Sequence, residues 1–186
     1  MNPLGPLNGK SFCTTISPWV ITLEALAPFR APLPNRNPGV ELPSYLRSVS
    51  KNLKIATYDL ELSAEFKHSN RQTDSPMDGT TICQTKFSSL YWTLSDLVAH
   101  QTINGCNLNV GDLLATGTIS GQSFNSRGCL MERPGGTECG TDSEGNPYLI
   151  TTLGDGDTLL MTGKAGEGVG FGECVGTILK ATVDNK

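Results

Sequence analysis

Apolar and polar residues alternate most regularly in residues 53–66. The apolar positions of this alternation are Tyr58, Leu60, Leu62, Ala64 and Phe66, and the polar positions between them are Asp59, Glu61, Ser63 and Glu65. Successive side chains of a strand point to opposite faces, so a period of two is typical of a strand with one buried face. We therefore predict a half-buried strand here.

A helical spacing follows in residues 87–103. Its apolar side chains, which fall near one face at 3.6 residues per turn, are Phe87, Leu90, Tyr91, Leu94, Leu97, Val98 and Ile103. This pattern predicts one long amphipathic helix over residues 87–103. Asn104 and Gly105 follow it, and a glycine at that position can adopt the left-handed conformation that ends a helix.

Shorter apolar runs predict further strands at residues 16–22, 80–85, 113–115, 130–132, 148–153, 158–162 and 173–182. The run at 113–115 is read as a buried strand that ends at Gly117, and residues 23–26 as one helical turn that Pro28 ends. The 21 glycines and 11 prolines favour many turns. The predicted fold class is mainly β, a rolled or sandwiched mixed sheet with the helix packed on it.

Composition narrows the protein class. The 186 residues, 37% hydrophobic and 17% charged, suit one globular domain. A net charge of −4 without a cluster of Lys or Arg argues against a nucleic-acid surface. The first 11 residues lack the apolar region of a secretory signal, and no apolar run is long enough to span a membrane. We expect a soluble, cytoplasmic protein whose six cysteines are free and mostly buried.

Several motifs that could carry chemistry are incomplete. Gly9, Lys10 and Ser11 suggest a phosphate-binding loop, but position 4 is Leu rather than Gly. The glycines of residues 166–172 do not follow the dinucleotide-binding pattern. His68 and His100 lie far along the chain from a second metal ligand, and Ser120 is not centred between glycines as a hydrolase nucleophile requires. The residues alone therefore assign no catalytic chemistry.

Three stretches, in this order, resemble the fumarylacetoacetase family. They are residues 9–15 (G-K-S-F-C-T-T), residues 91–121 with Y-W-T, N-G-C-N-L and G-D-L-L-A-T-G-T-I-S-G, and residues 155–176, which end in G-F-G-E-C-V-G. The similarity extends over nearly the whole chain and is weaker at residues 32–68 and 133–149. The fold it implies is the fumarylacetoacetase C-terminal type.

The resemblance implies a function in tyrosine and phenylalanine breakdown. Members of the family hydrolyse a carbon–carbon bond of the diketo acid fumarylacetoacetate, giving fumarate and acetoacetate. They use Mg²⁺ and Ca²⁺ and form homodimers. By this resemblance, Lys10 is a catalytic residue beside the metal and Thr14 belongs to the metal site. Thr118 contacts substrate, and Glu132 orients a histidine base.

The same resemblance places most metal ligands, the histidine base and a small N-terminal barrel domain upstream of the lysine segment. Residues 1–186 are therefore expected to form only part of the C-terminal catalytic domain and to be inactive alone. Two alternatives stay open. The chain is a non-catalytic remnant that serves as an interaction protein, or it has another chemistry of the superfamily, such as that of an acylpyruvate hydrolase or a decarboxylase. The sequence Gly117-Thr118-Ile119 counts against that last group, which tends to carry Gly-Thr-Pro.

Cys13 stands where the family carries glycine, and this difference is testable. By the resemblance, a side chain at this position occupies space where the backbone approaches the metal. In a polypeptide that also carries the upstream metal ligands, we predict that Cys13→Gly binds Mg²⁺ more tightly than the sequence with Cys13 in titration calorimetry. Equal affinities would refute the prediction.

Overall fold

The computed structural model describes residues 13–32, 39, 41–47, 57–69, 79–141 and 147–182. Within them lie two α-helices, α1 (Leu23–Leu26) and α2 (Leu94–Thr102), and the strands β1 (Arg30–Ala31), β2 (Thr57–Tyr58), β3 (Glu61–Lys67), β4 (Thr80–Lys86), β5 (Thr137–Thr141), β6 (Pro147–Ile150), β7 (Thr158–Ala165) and β8 (Val169–Thr177). The mainly β class predicted from the sequence is confirmed.

The main sheet has four strands in the order β4-β3-β7-β8. Two small sheets pair β1 with β2 and β5 with β6. Every strand pairing in the described part of the chain is antiparallel, and a parallel pairing, which a mixed sheet requires, is not found among these residues. Antiparallel strands can be joined by short turns, which agrees with the many glycines.

The alternation that predicted a half-buried strand produces the centre of this sheet. Phe66 of β3 is 1% exposed, whereas Glu61 at the start of the strand is exposed. The predicted strand is divided, however, because the chain leaves β2 at Tyr58 and re-enters a strand at Glu61. Residues 53–56 lie outside the described residues.

Two apolar clusters hold the strands together. The first contains Leu26, Leu60, Phe87 and Ala165, and the second contains Phe66, Ile82, Cys139 and Ile150. Ile21, Ile119 and Phe171 pack against the first cluster from three separate parts of the chain. Because burial of apolar surface is the main favourable contribution to folding, these clusters fix where the surrounding loops can lie.

The predicted helix over residues 87–103 is too long. The helix proper is α2, and Phe87–Ser89 form a separate turn of 3-10 helix. Thr93 begins α2 with a capping box, since its hydroxyl accepts from the Asp96 amide at 3.1 Å and its own amide donates to the Asp96 carboxylate at 2.9 Å. A capping box favours a helix start at this residue. No residue of α2 is fully buried, and Asp96, Leu97, Ala99 and Thr102 are half-buried.

Three of the predicted strands are wrong. Residues 113–115 form no strand, and Leu113 and Leu114 are 67% and 48% exposed. Residues 16–22 are likewise irregular, and Leu130–Glu132 form a 3-10 turn. The remaining strand predictions correspond to β4, β6, β7 and β8, and the predicted helical turn at residues 23–26 is α1.

The irregular segment 13–22 lies along β8 instead. The Ser17 hydroxyl donates to the Phe171 carbonyl at 2.5 Å, and the Cys174 thiol donates to the Thr15 carbonyl at 3.4 Å. Gly172 has φ +69°, and a Cβ at that position would overlap the Trp19 ring. Glycine is therefore required where the segment crosses β8.

All six cysteines are free, as expected, but they are not mostly buried. Cys83 and Cys139 are buried, Cys13 and Cys106 are exposed, and Cys129 and Cys174 lie between these extremes. Among the described helices, none is long and apolar enough to cross a membrane.

The capping box gives a test of what stabilises α2. Because the helix buries no side chain, its end contacts should weigh heavily. We expect Thr93→Ala to destabilise α2 by about 1 kcal/mol and to reduce the helical circular dichroism signal. Ser95 is exposed and lies two residues after Thr93. Ser95→Ala is therefore the matched control and should leave the signal unchanged. An equal signal for both variants would contradict this account.

Candidate functional site

Hydrogen bonds within residues 118–133 join the loop that carries Thr118 to the turn that carries Glu132. We call this hydrogen-bonded segment the bracket. The Ser120 hydroxyl donates to Glu132 Oε2 at 2.6 Å and accepts from the Gly128 amide at 3.1 Å. The Gly121 amide donates to the Ser126 carbonyl at 2.9 Å, which closes the intervening turn. Two residues that are 12 positions apart in sequence, Ser120 and Glu132, are thereby brought into direct contact.

The two sides of this bracket are in close backbone contact. A Cβ at Gly128 would overlap the Ile119 carbonyl oxygen and would lie 3.1 Å from the Thr118 Cγ2. Only glycine fits at this point without moving one of the loops. Thr118 and Glu132, for which the resemblance implies substrate contact and orientation of the base, thus belong to one local unit.

Two arginines hold the Glu132 side of the bracket. Arg127 Nη1 donates to the Glu132 carbonyl at 2.6 Å. Arg133, which is 3% exposed, donates twice to the Arg127 carbonyl, at 2.6 and 3.2 Å, and once to Thr137 Oγ1 at 3.3 Å. Both guanidinium groups lie over the Phe124 ring, at 5.6 Å for Arg127 and 5.4 Å for Arg133. Such cation–π contacts add to the hydrogen bonds that keep a buried charge in place.

The other predicted site residues lie elsewhere or cannot be placed. Thr14 is exposed on segment 13–22, which lies along β8 in space. Lys10 lies outside the described residues. Ile21 of that segment and Ile119 of the bracket pack against the same apolar cluster. The cluster therefore connects the two parts, although Thr14 is not part of the bracket itself.

A cavity of about 750 Å³ adjoins the bracket at Gly121 and Ser126. Its floor is the polar face of β3, β4 and β7, with Ser63, Gln84 and Thr162. Its lysines are already paired, Lys86 with Asp59 at 3.2 Å and Lys164 with Glu61 at 3.1 Å. Thr14, Thr118 and Glu132 do not line this cavity, so it is distinct from the predicted site residues.

Cys83 of β4 interacts with the Arg133 guanidinium. Burial raises the pKa of Cys83 above its usual value, and the neighbouring Arg133 guanidinium lowers it by a smaller amount. A thiol with a raised pKa is protonated at neutral pH and is a poor nucleophile. We therefore regard Cys83 as a core residue rather than a catalytic one.

A metal site of the expected composition is not found in the described part of the chain. Among those residues no group of three or more His, Cys, Asp and Glu side chains could hold a metal ion. Mg²⁺ and Ca²⁺ prefer several carboxylate oxygens, and Thr14 offers a single hydroxyl. The described residues therefore do not fit a complete site for either ion.

A family model described as "Fumarylacetoacetate (FAA) hydrolase C-terminal" matches residues 1–178. The chain belongs to this family. The resemblance inferred from the sequence is confirmed over nearly the whole chain.

The relatives that this chain matches are fumarylacetoacetases. The one from Arabidopsis thaliana is 43% identical over 180 residues, which cover 95% of this chain and 40% of the relative. The one from Mus musculus is 42% identical over 183 residues (96% of this chain, 41% of the relative), and the one from Caenorhabditis elegans is 38% identical over 186 residues (97% and 41%). The chain thus spans about two fifths of the length of these curated relatives.

The sequence interpretation missed three residues of the bracket. The sequence rules consider Ser120 only as a nucleophile, Gly128 lies outside the three matching stretches, and Arg133 begins a stretch of weak similarity. No spacing rule identifies a buried arginine from sequence. The Ser120–Glu132 contact depends on how residues 121–128 turn, which becomes visible only in the structure.

The close approach at Gly128 can be tested by adding one methyl group. We expect Gly128→Ala to lower the free energy of unfolding by about 1–3 kcal/mol, because the two loops must separate. Gly168→Ala is the matched control, since a Cβ there meets no atom within 4 Å. Urea unfolding of both variants measures the difference, and equal stabilities would show that the loops are not in tight contact.

Proposed function

We propose that these 186 residues form one wall of a fumarylacetoacetase active site. The reaction is hydrolysis of the carbon–carbon bond of fumarylacetoacetate to fumarate and acetoacetate. Support comes from the family match over residues 1–178 and from relatives named fumarylacetoacetase. These names also favour this substrate over an acylpyruvate.

The bracket carries the proposal. Thr118 and Glu132 have separate roles in the hypothesis, yet Ser120 and Gly128 join their loops through contacts that leave little freedom. Catalysis benefits when the residues that bind the substrate and those that transfer protons are held in a fixed arrangement.

Each residue has a defined task in this proposal. The Thr118 hydroxyl hydrogen-bonds to an oxygen of the diketo acid and orients it. The exposed carboxylate of Glu132 accepts a hydrogen bond from a histidine base, fixing its tautomer while the base removes a proton from water. Lys10 supplies positive charge where the carbonyl oxygen becomes an oxyanion.

The metal part of the proposal rests on the family alone. Mg²⁺ and Ca²⁺ would take their carboxylate ligands from outside the described residues, with Thr14 contributing one hydroxyl and Lys10 lying beside the ion. Because the described residues do not fit a complete ligand set, no step is assigned to the metal.

We propose the location, pathway and oligomeric state on the same basis. The enzyme is cytoplasmic, acts in tyrosine and phenylalanine breakdown and works as a homodimer, with this chain as part of its C-terminal catalytic domain.

A second candidate function is that of an interaction protein without catalysis. Apolar residues that lie exposed in and after α2, such as Val98, Ile103 and Leu113, favour it, since exposed apolar surface is typical of contact regions.

Turnover measurements test the proposal. The purified chain with Mg²⁺ or Ca²⁺ should leave the diketone absorbance of fumarylacetoacetate unchanged. Joined in one polypeptide to the part of the Arabidopsis thaliana relative that it does not cover, the chain should restore turnover. In that chimaera, Glu132→Gln should reduce kcat by about 10²–10⁴-fold.

The outcomes separate the alternatives. Turnover by the isolated chain would contradict the single-wall proposal. A folded chimaera without turnover would contradict the enzymatic function and favour the interaction protein.

A further inference from the structure

Ser120 has the hydrogen-bonding pattern of a residue that orients a carboxylate. A hydroxyl group has a single proton to donate, and an ionised carboxylate can only accept, so the 2.6 Å contact has Ser120 as its donor. The Gly128 amide donates to the same hydroxyl oxygen at 3.1 Å and fixes where its proton can point. A hydrogen bond to an ionised acceptor is about twice as strong as one between neutral groups.

The main chain at Glu132 is held independently of Ser120. Arg127 donates to the Glu132 carbonyl, and the buried Arg133 fixes Arg127 through two hydrogen bonds to its carbonyl. These contacts place the Glu132 backbone but leave the side-chain torsions free. Ser120 is the described residue whose contact acts on the carboxylate itself.

The two carboxylate oxygens of Glu132 are thereby made unequal. Oε2 is occupied by the Ser120 hydroxyl, whereas no donor to Oε1 is found in the part of the chain that the structure describes. Since Glu132 is exposed, Oε1 is accessible to a donor from outside this region. A carboxylate with one oxygen occupied offers the other in a fixed direction.

We propose that Ser120 is a positioning residue, which holds Glu132 so that Oε1 faces the base it orients. This inference rests on the proposed function and adds to that site a residue that the resemblance does not assign to it. In this role Ser120 acts through Glu132 and not on the reacting atoms themselves. Its removal should therefore affect kcat and leave KM nearly unchanged.

The first test needs no activity and uses the chain itself. Ser120→Ala should accelerate hydrogen exchange of the Gly128 amide about tenfold, because its acceptor is lost. It should also average the side-chain couplings of Glu132 in NMR spectra. Ser123→Ala, which removes a hydroxyl–hydroxyl contact of 2.9 Å in the same turn, should change neither. Unchanged exchange and couplings in Ser120→Ala would overturn the proposed contact.

The second test is kinetic and uses the chimaera described above. Ser120→Ala should lower kcat about 10- to 100-fold with KM within about twofold, and Ser120→Thr should recover most of the loss. An unchanged kcat, or no recovery with threonine, would refute positioning. If the unsubstituted chimaera is inactive while the NMR differences are present, the proposed function fails but the orientation of Glu132 by Ser120 does not.

Discussion

Burial of the Arg133 guanidinium is the constraint on which the site side of this molecule depends. A guanidinium charge removed from water is costly unless hydrogen-bond acceptors and neighbouring groups compensate it. Here the Arg127 carbonyl, the Thr137 hydroxyl and the Phe124 ring surround the group. These partners come from the bracket and from β5, so the bracket cannot move away from the sheets without exposing or unpairing the charge. The contacts of Arg133 therefore also hold the loops that carry Thr118 and Glu132 in place.

The parts of the fold that were predictable are those with a local physical signature. The alternation around Leu62 and Ala64 predicted the centre of the sheet, because one face of β3 has to be apolar to pack on the core. Helical spacing was a weaker guide, since the Thr93 capping box starts α2 seven residues later than the predicted start at Phe87. Apolar residues before a cap can belong to a preceding turn, and spacing alone does not distinguish the two.

The wrong strand at residues 113–115 has a different cause. An apolar run has the composition of a strand, but a strand also needs a partner for its backbone hydrogen bonds. This run lies between Gly111 and Gly117, which have φ of +98° and +76°, and it pairs with no described strand. For the site, similarity to the family pointed to Thr118 and Glu132, whereas Ser120, Gly128 and Arg133 act through contacts across a turn. Such contacts leave no periodic pattern in a sequence.

The exposed helix α2 has a consequence for how this surface can respond to other molecules. With no buried side chain of its own, the helix forms in an equilibrium that its capping box biases only modestly. A molecule that bound only the helical form, through the exposed Leu94 and Val98, would stabilise α2 by mass action. The order of α2 would then be coupled to occupancy of this surface.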